Sequence, residues 1–126
     1  LLPYSPIAGG VLAGKYNNGL YPEDSRFGIY MANKNPRVQA MANRFVNEKT
    51  IEATKKYVVL AREYGISPVT LAVAYSKHFE FIASTIIGAR KLSQLDESFA
   101  ALDFNIDKEL MRKIEDIQKD ILYPMG

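Results

Sequence analysis

The sequence predicts an α/β chain built on parallel strands, and three observations carry that expectation. Two short apolar stretches, residues 1–5 and Ala83–Ile87, read as strands, with helical patterns between and after them. Strands that alternate with helices make parallel βα units. Ala83–Ile87 is apolar and β-branched and stops at Gly88, as a short strand buried in a parallel sheet does. Two strands are nevertheless too few. Such a sheet leaves both edges open and cannot bury its own helices, so further strands are expected before Leu1. The first residue is Leu rather than Met, and the chain opens at the end of a strand. A fragment or a processed product is therefore expected.

Each element has a local reason. Pro3 suits a strand end or bulge rather than a central strand. From Pro6 to Pro36 the chain is rich in Gly, Asn, Pro and Tyr and reads as a long loop; loops of this length are uncommon and usually functional or disordered. Pro36 precedes a helix expected over Arg37 to about Asn47. A clearer helix covers Lys49–Tyr64, with Ile51, Thr54, Val58 and Ala61 on one face. Gly65 stops it at the C′ position. Ser67 caps the next helix and Pro68 takes its first position, with Leu71, Ala72 and Tyr75 inward to about His78. After the second strand a helix is expected over Ser93–Leu102. The last begins at the N-cap Asp107 and runs to about Ile121, with Leu110, Ile114, Ile117 and Ile121 as its apolar stripe.

Composition excludes several function classes. The 126 residues are 48% apolar and 24% charged, ordinary for a globular protein and against disorder. Sixteen basic against fourteen acidic residues leave a formal charge of +2, too little to argue for nucleic acid or an anionic membrane surface. With no Cys and a single His, disulfides, thiolate chemistry and multi-histidine zinc sites are excluded, so no metal ligands are assigned. No apolar run is long enough to span a bilayer, and no signal peptide is visible.

The chemistry sits at the two strand ends, where α/β folds place their ligands. In the first turn, Gly9 and Gly10 let the backbone approach a ligand and aim N–H groups at an anion. Ser5 adds a hydroxyl and Lys15 a compact positive charge. The same glycines equally fit a strand exit that needs only conformational freedom. In the second turn, Arg90 after Gly88 offers a planar fork for phosphate at a helix entrance, with Gln94 and Glu97 beyond; an exposed surface Arg is the alternative. Arg26, inside the long loop, is either a phosphate ligand or a surface residue. Tyr4 is either a ring platform for a flat ligand or a core residue. His78 near a helix C-terminus is explained by the helix dipole. No paired carboxylates, nucleophile–base pair or Walker-type loop is present.

Two segments together resemble a known family. Tyr4-Ser5-Pro6-Ile7-Ala8-Gly9-Gly10-Val11-Leu12, followed by Gly14-Lys15-Tyr16, resembles the seventh-strand segment of aldo-keto reductases. Ser84-Thr85-Ile86-Ile87-Gly88-Ala89-Arg90, followed by Gln94-Leu95-Asp96-Glu97, resembles their eighth-strand segment. The distance between the two and the double helix between them also fit. The likeness covers nearly the whole chain and is closest to the branch with the Tas-like reductases and the potassium-channel β subunits. It implies the C-terminal part of a (β/α)₈ barrel, strands seven and eight with their helices, since a complete barrel needs ~250 residues.

The resemblance further implies an NADPH site. Tyr4 would stack under the nicotinamide. Ser5, Ile7, Gly9 and Leu12 would line the pyrophosphate path, and Lys15 would neutralise it. Arg26 would come from the loop that closes over the cofactor. Gly88, Arg90 and Gln94 would hold the adenosine end, with Arg90 on the 2′-phosphate and Glu97 at the adenine amino group. The family often has Asn after that Glu and Ser or Thr after that Arg; here Ser98 and Lys91 stand there. The catalytic Asp, Tyr, Lys and His of the family come from earlier strands, so no catalytic residue is assigned and the segment alone is expected to be inactive. The implied partners are a small-molecule carbonyl substrate, the rest of the barrel and further copies of the same chain, in the cytoplasm, with no nucleic acid and no membrane. An NADPH-dependent carbonyl reductase competes with a non-catalytic NADPH-binding regulatory subunit, and more weakly with a free-standing domain that binds an anion or a partner.

Overall fold

Six helices carry the fold of the computed structural model, which describes residues 1–125. They are α1 (Arg26–Met31), α2 (Pro36–Phe45), α3 (Glu48–Glu63), α4 (Pro68–Lys77), α5 (Ser93–Asp103) and α6 (Lys108–Asp120). Their ends follow the local chemistry of the sequence. The Asn47 side chain accepts from Thr50 N while Thr50 Oγ1 accepts from Asn47 N, a reciprocal cap on α3. At the other end Gly65 is left-handed, φ +67°. Gly65 N donates to Arg62 O and Ile66 N to Ala61 O, so the last carbonyls of α3 are satisfied in a Schellman turn. Ser67 and Asp107 cap α4 and α6, each side chain accepting from the third helical N–H.

The expected α/β pairing is present only in outline. Among the described residues the two apolar segments meet in one parallel bridge, Tyr4 with Ile86, and no strand forms. Two hydrogen bonds hold it, Ala83 N to Leu1 O and Ile86 N to Pro3 O, both 2.8–2.9 Å and both donated by the second segment. The first segment cannot extend the ladder. Pro3 has no N–H, and Ser5 turns out of extended backbone at φ +56°. The long loop also differs from expectation. It contains a 3-10 turn at Ala8–Gly10 and the helix α1, and it has a core of its own.

Two apolar cores result. Leu60, Leu71, Ala74, Ala101, Leu110 and Ile114 join α3, α4, α5 and α6. Val11, Tyr16, Phe27, Ala42 and Val46 join the loop, α1 and α2. Tyr16 is the centre of the second: its ring lies 5.6 Å from Phe27, and its hydroxyl accepts from Phe27 N at 3.4 Å. Phe27 stacks in turn on Phe45 at 5.1 Å. Between α3, α4, α6 and the first bridging segment lies an apolar cavity of about 420 Å³, lined by Tyr57, Leu71, Tyr75, Phe79 and Ile114. No described helix is long and apolar enough to cross a membrane.

Candidate functional site

The loop core determines where the glycine turn and its cations sit. Gly9 is left-handed at φ +66°, and a Cβ there would come within 2.9 Å of Phe27 Cζ and 3.4 Å of Arg26 Cδ. A Cβ on Gly10 would meet Lys15 Cε at 3.1 Å and Nζ at 3.4 Å. The missing side chains leave room for the Lys15 ammonium and the Arg26 stem over the turn, but Gly10 is buried and its N–H donates to Ile7 O, so that N–H is not aimed at an anion as the sequence suggested. Ile7 packs against the main core, and its carbonyl accepts from Gly10 N and Leu12 N, which closes the turn. Ser5 is exposed and its carbonyl accepts from Ala8 N at 2.8 Å. Leu12 lies at the rim of the apolar cavity beside Pro3 and Pro6.

Tyr4 is 78% exposed and shares the bridge with Ile86. Bridge partners point the same way, and neighbours along a strand alternate. Ile87 packs on the main core, so Tyr4 and Ile86 face away from the helices.

The second turn is joined to the first through Asp24. Arg90 Nη1 donates to Asp24 O at 2.6 Å, and Lys91 Nζ lies 3.4 Å from Asp24 Oδ2. Asp24 precedes the α1 cap, Ser25, whose hydroxyl donates to Pro22 O and accepts from Gly28 N. Gly28 permits that closure, because a Cβ there would stand 2.0 Å from Pro22 O. Gln94 Oε1 accepts from Arg90 N at 2.8 Å and Lys91 N at 3.3 Å. The N-cap position of α5 is Leu92, without a side-chain cap, so Gln94 holds the turn. Gly88 is exposed, with open space where a Cβ would point. Glu97 is exposed on α5, and its carbonyl accepts from Thr70 Oγ1 at 2.7 Å.

Arg90 and Lys91 meet the loop at Asp24, two residues from Arg26, while Lys15 and Arg26 lie beside the glycine turn, and all four cations are exposed. The surface is suited to an extended polyanion. Asp24, Gly28 and Gln94's turn-holding role were not apparent in the sequence. Asp24–Ser25 beside Arg26 is the one signal that pointed to a cap there. His78 is the exposed C-cap of α4, its ring edge-on to Phe79 at 5.5 Å, and it stands apart from this surface's contacts. Tyr21, in the same loop, has its hydroxyl pKa raised by burial and by Tyr16. Among the described residues no cluster of His, Cys, Asp and Glu is able to hold a metal ion.

The model of the aldo/keto reductase family matches residues 1–119. The chain is 31% identical over 124 residues to the protein Tas of Escherichia coli (strain K12), which covers 98% of this chain and 33% of Tas. It is 35% identical over 117 residues to a probable voltage-gated potassium channel subunit beta of Oryza sativa subsp. japonica, covering 91% of this chain and 34% of that protein. It is 29% identical over 102 residues to L-glyceraldehyde 3-phosphate reductase of Escherichia coli O157:H7, 81% of this chain and 28% of that one. The chain spans about a third of the length of the curated relatives it matches.

Proposed function

The chain belongs to the aldo/keto reductase family, and from that premise we propose that it supplies the cofactor-binding part of an NADPH-dependent oxidoreductase that reduces aldehydes or ketones to alcohols. On this reading it is the C-terminal portion of a (β/α)₈ barrel. The parallel meeting of Tyr4 with Ile86 and the coverage of a third of each relative support that assignment.

The observation that carries the reading is the contact of Asp24 with Arg90 and Lys91, which ties the loop of Arg26 to the second turn. It brings Arg90 and Lys91 to the loop that carries Arg26. The donor set fits a dinucleotide. Tyr4 offers a flat face for nicotinamide. Gly9 leaves room beside the turn for the pyrophosphate, which Lys15 and Arg26 neutralise. Arg90 holds the 2′-phosphate, with Gly88 and Gln94 shaping its turn and Glu97 at the adenine edge. Ser5, Ile7 and Leu12 keep the first turn in register. The chemistry supplied by the bound nicotinamide is hydride donation to the carbonyl carbon. The proton donor lies in no residue of this chain, so the catalytic acid belongs to the rest of the barrel, as does most of the pocket for the carbonyl substrate. Assembly of further copies is part of the same proposal.

A non-catalytic NADPH-binding regulatory subunit is the second reading, favoured by the 35% identity to a protein named as a potassium channel β subunit. Titration of the full-length protein with NADPH, followed by single-turnover reduction of simple aldehydes, separates the two. Binding with turnover supports the reductase, and binding without turnover the regulatory subunit. A protein that binds neither NADPH nor NADH overturns both.

A further inference from the structure

Asp24 stands where its charge matters most. Its carboxylate is 3.4 Å from Lys91 Nζ, and its carbonyl takes the Arg90 guanidinium at 2.6 Å. Arg90 and Lys91 are the groups a 2′-phosphate needs. A carboxylate among them competes for Lys91 and repels a dianion. The same carboxylate is the acceptor that a ribose 2′-hydroxyl needs. Dinucleotide sites elsewhere separate these tasks, an acidic residue serving the hydroxyl and an Arg the phosphate. Here one contact holds both.

Building on the cofactor reading above, we propose that Asp24 is a specificity-determining residue that narrows the preference for NADPH over NADH, so that the site accepts both cofactors. The arrangement separates the charge from the scaffold. Arg90 is held by the main-chain carbonyl of Asp24, which a side-chain substitution leaves in place. Among the described residues the carboxylate itself bonds only Lys91, and both side chains are largely exposed. Removing the charge therefore changes what the cations are free to bind without untying the loop from the second turn.

The test is equilibrium binding of NADPH and of NADH to the full-length protein, followed by nicotinamide fluorescence. Asp24→Asn should tighten NADPH by about threefold to tenfold, the size expected for one exposed unit charge a few ångströms from the phosphate. NADH should stay level or weaken, so the ratio of the two dissociation constants rises. Asp24→Glu, which keeps the charge, should leave that ratio near the parent value. A ratio unchanged or lowered by Asp24→Asn overturns the proposal and leaves the cofactor reading intact. A parent protein that binds neither cofactor overturns both.

Discussion

Arg90 does two things at once: its guanidinium fastens the loop through Asp24 O, and it is the fork assigned to the 2′-phosphate. Charge-assisted hydrogen bonds of that kind are worth roughly 1.5–3 kcal/mol. Arg90→Ala should accordingly weaken NADPH by about tenfold to a hundredfold. NADH, which lacks the phosphate, should lose much less, and that small loss measures the loop fastening alone. Equal losses in paired titrations would mean that Arg90 only holds the loop. Residues of this kind were legible because their signals are local: glycines at a strand exit, an Arg after a Gly at a helix entrance. Asp24 was not, since its partner is 66 residues away in sequence. Gly28 was not either. Nothing in a helical glycine announces that a Cβ would stand 2.0 Å from Pro22 O.

At the scale of elements, the helices were legible for the same reason. Ser67–Pro68, Gly65 and Asp107 mark their ends by side-chain and backbone chemistry within a few residues. The strands were less so, because pairing depends on neighbours far along the chain. The loop hid its core because Tyr16, Phe27 and Phe45 follow no helical or strand period. That core sharpens what the cofactor should do. With Tyr16 and Phe27 buried, the anchored parts of Ala13–Asn35 should resist protease throughout. Protection by NADPH should concentrate on the exposed stretch 22–24, where Asp24 and its neighbours meet the second turn. Cleavage of that stretch at equal rates with and without cofactor would count against a loop that closes over it. The α3–α4–α6 contact makes a separate prediction. The Tyr57 hydroxyl lies at the apolar cavity, and its pKa is raised, first by burial and then by Tyr75. Its unfolded pKa is about 10. Above that value the unfolded chain has lost the proton and the folded one retains it, so stability falls as pH rises. Below it the stability is fully present. Melting curves between about pH 9 and pH 11.5 should show Tyr57→Phe losing less stability than the parent over the alkaline part of the range. Parallel curves would mean that burial does not restrain the phenol.

At the scale of the whole molecule, the decisive feature is the apolar surface left exposed around the two bridging segments. Leu1, Leu2, Tyr4, Phe81 and Ile86 are all more than half exposed, and the apolar cavity opens between the first bridging segment and the helices. Fully burying a Leu- or Ile-sized side chain is worth about 1.5–3 kcal/mol, so several left in water approach the ~5–15 kcal/mol that stabilises a typical domain. Unpaired backbone on either side of the Tyr4–Ile86 bridge adds a template for other chains. Residues 1–126 expressed alone should therefore associate or aggregate, and should show no reductase activity for want of a proton donor. One substitution distinguishes this from a self-sufficient domain. Ile86 points away from the helices, so Ile86→Lys should raise the solubility of the isolated segment by interrupting the apolar face. In the full-length protein the same position faces the remaining strands of the proposed barrel, and the buried lysine should lower its melting temperature by several degrees. Light scattering on the segment and thermal unfolding of the intact protein read the two arms. If the parent segment is instead a monomer with one sharp transition, or Ile86→Lys is neutral in the full chain, then this face is an ordinary surface and the barrel assignment fails.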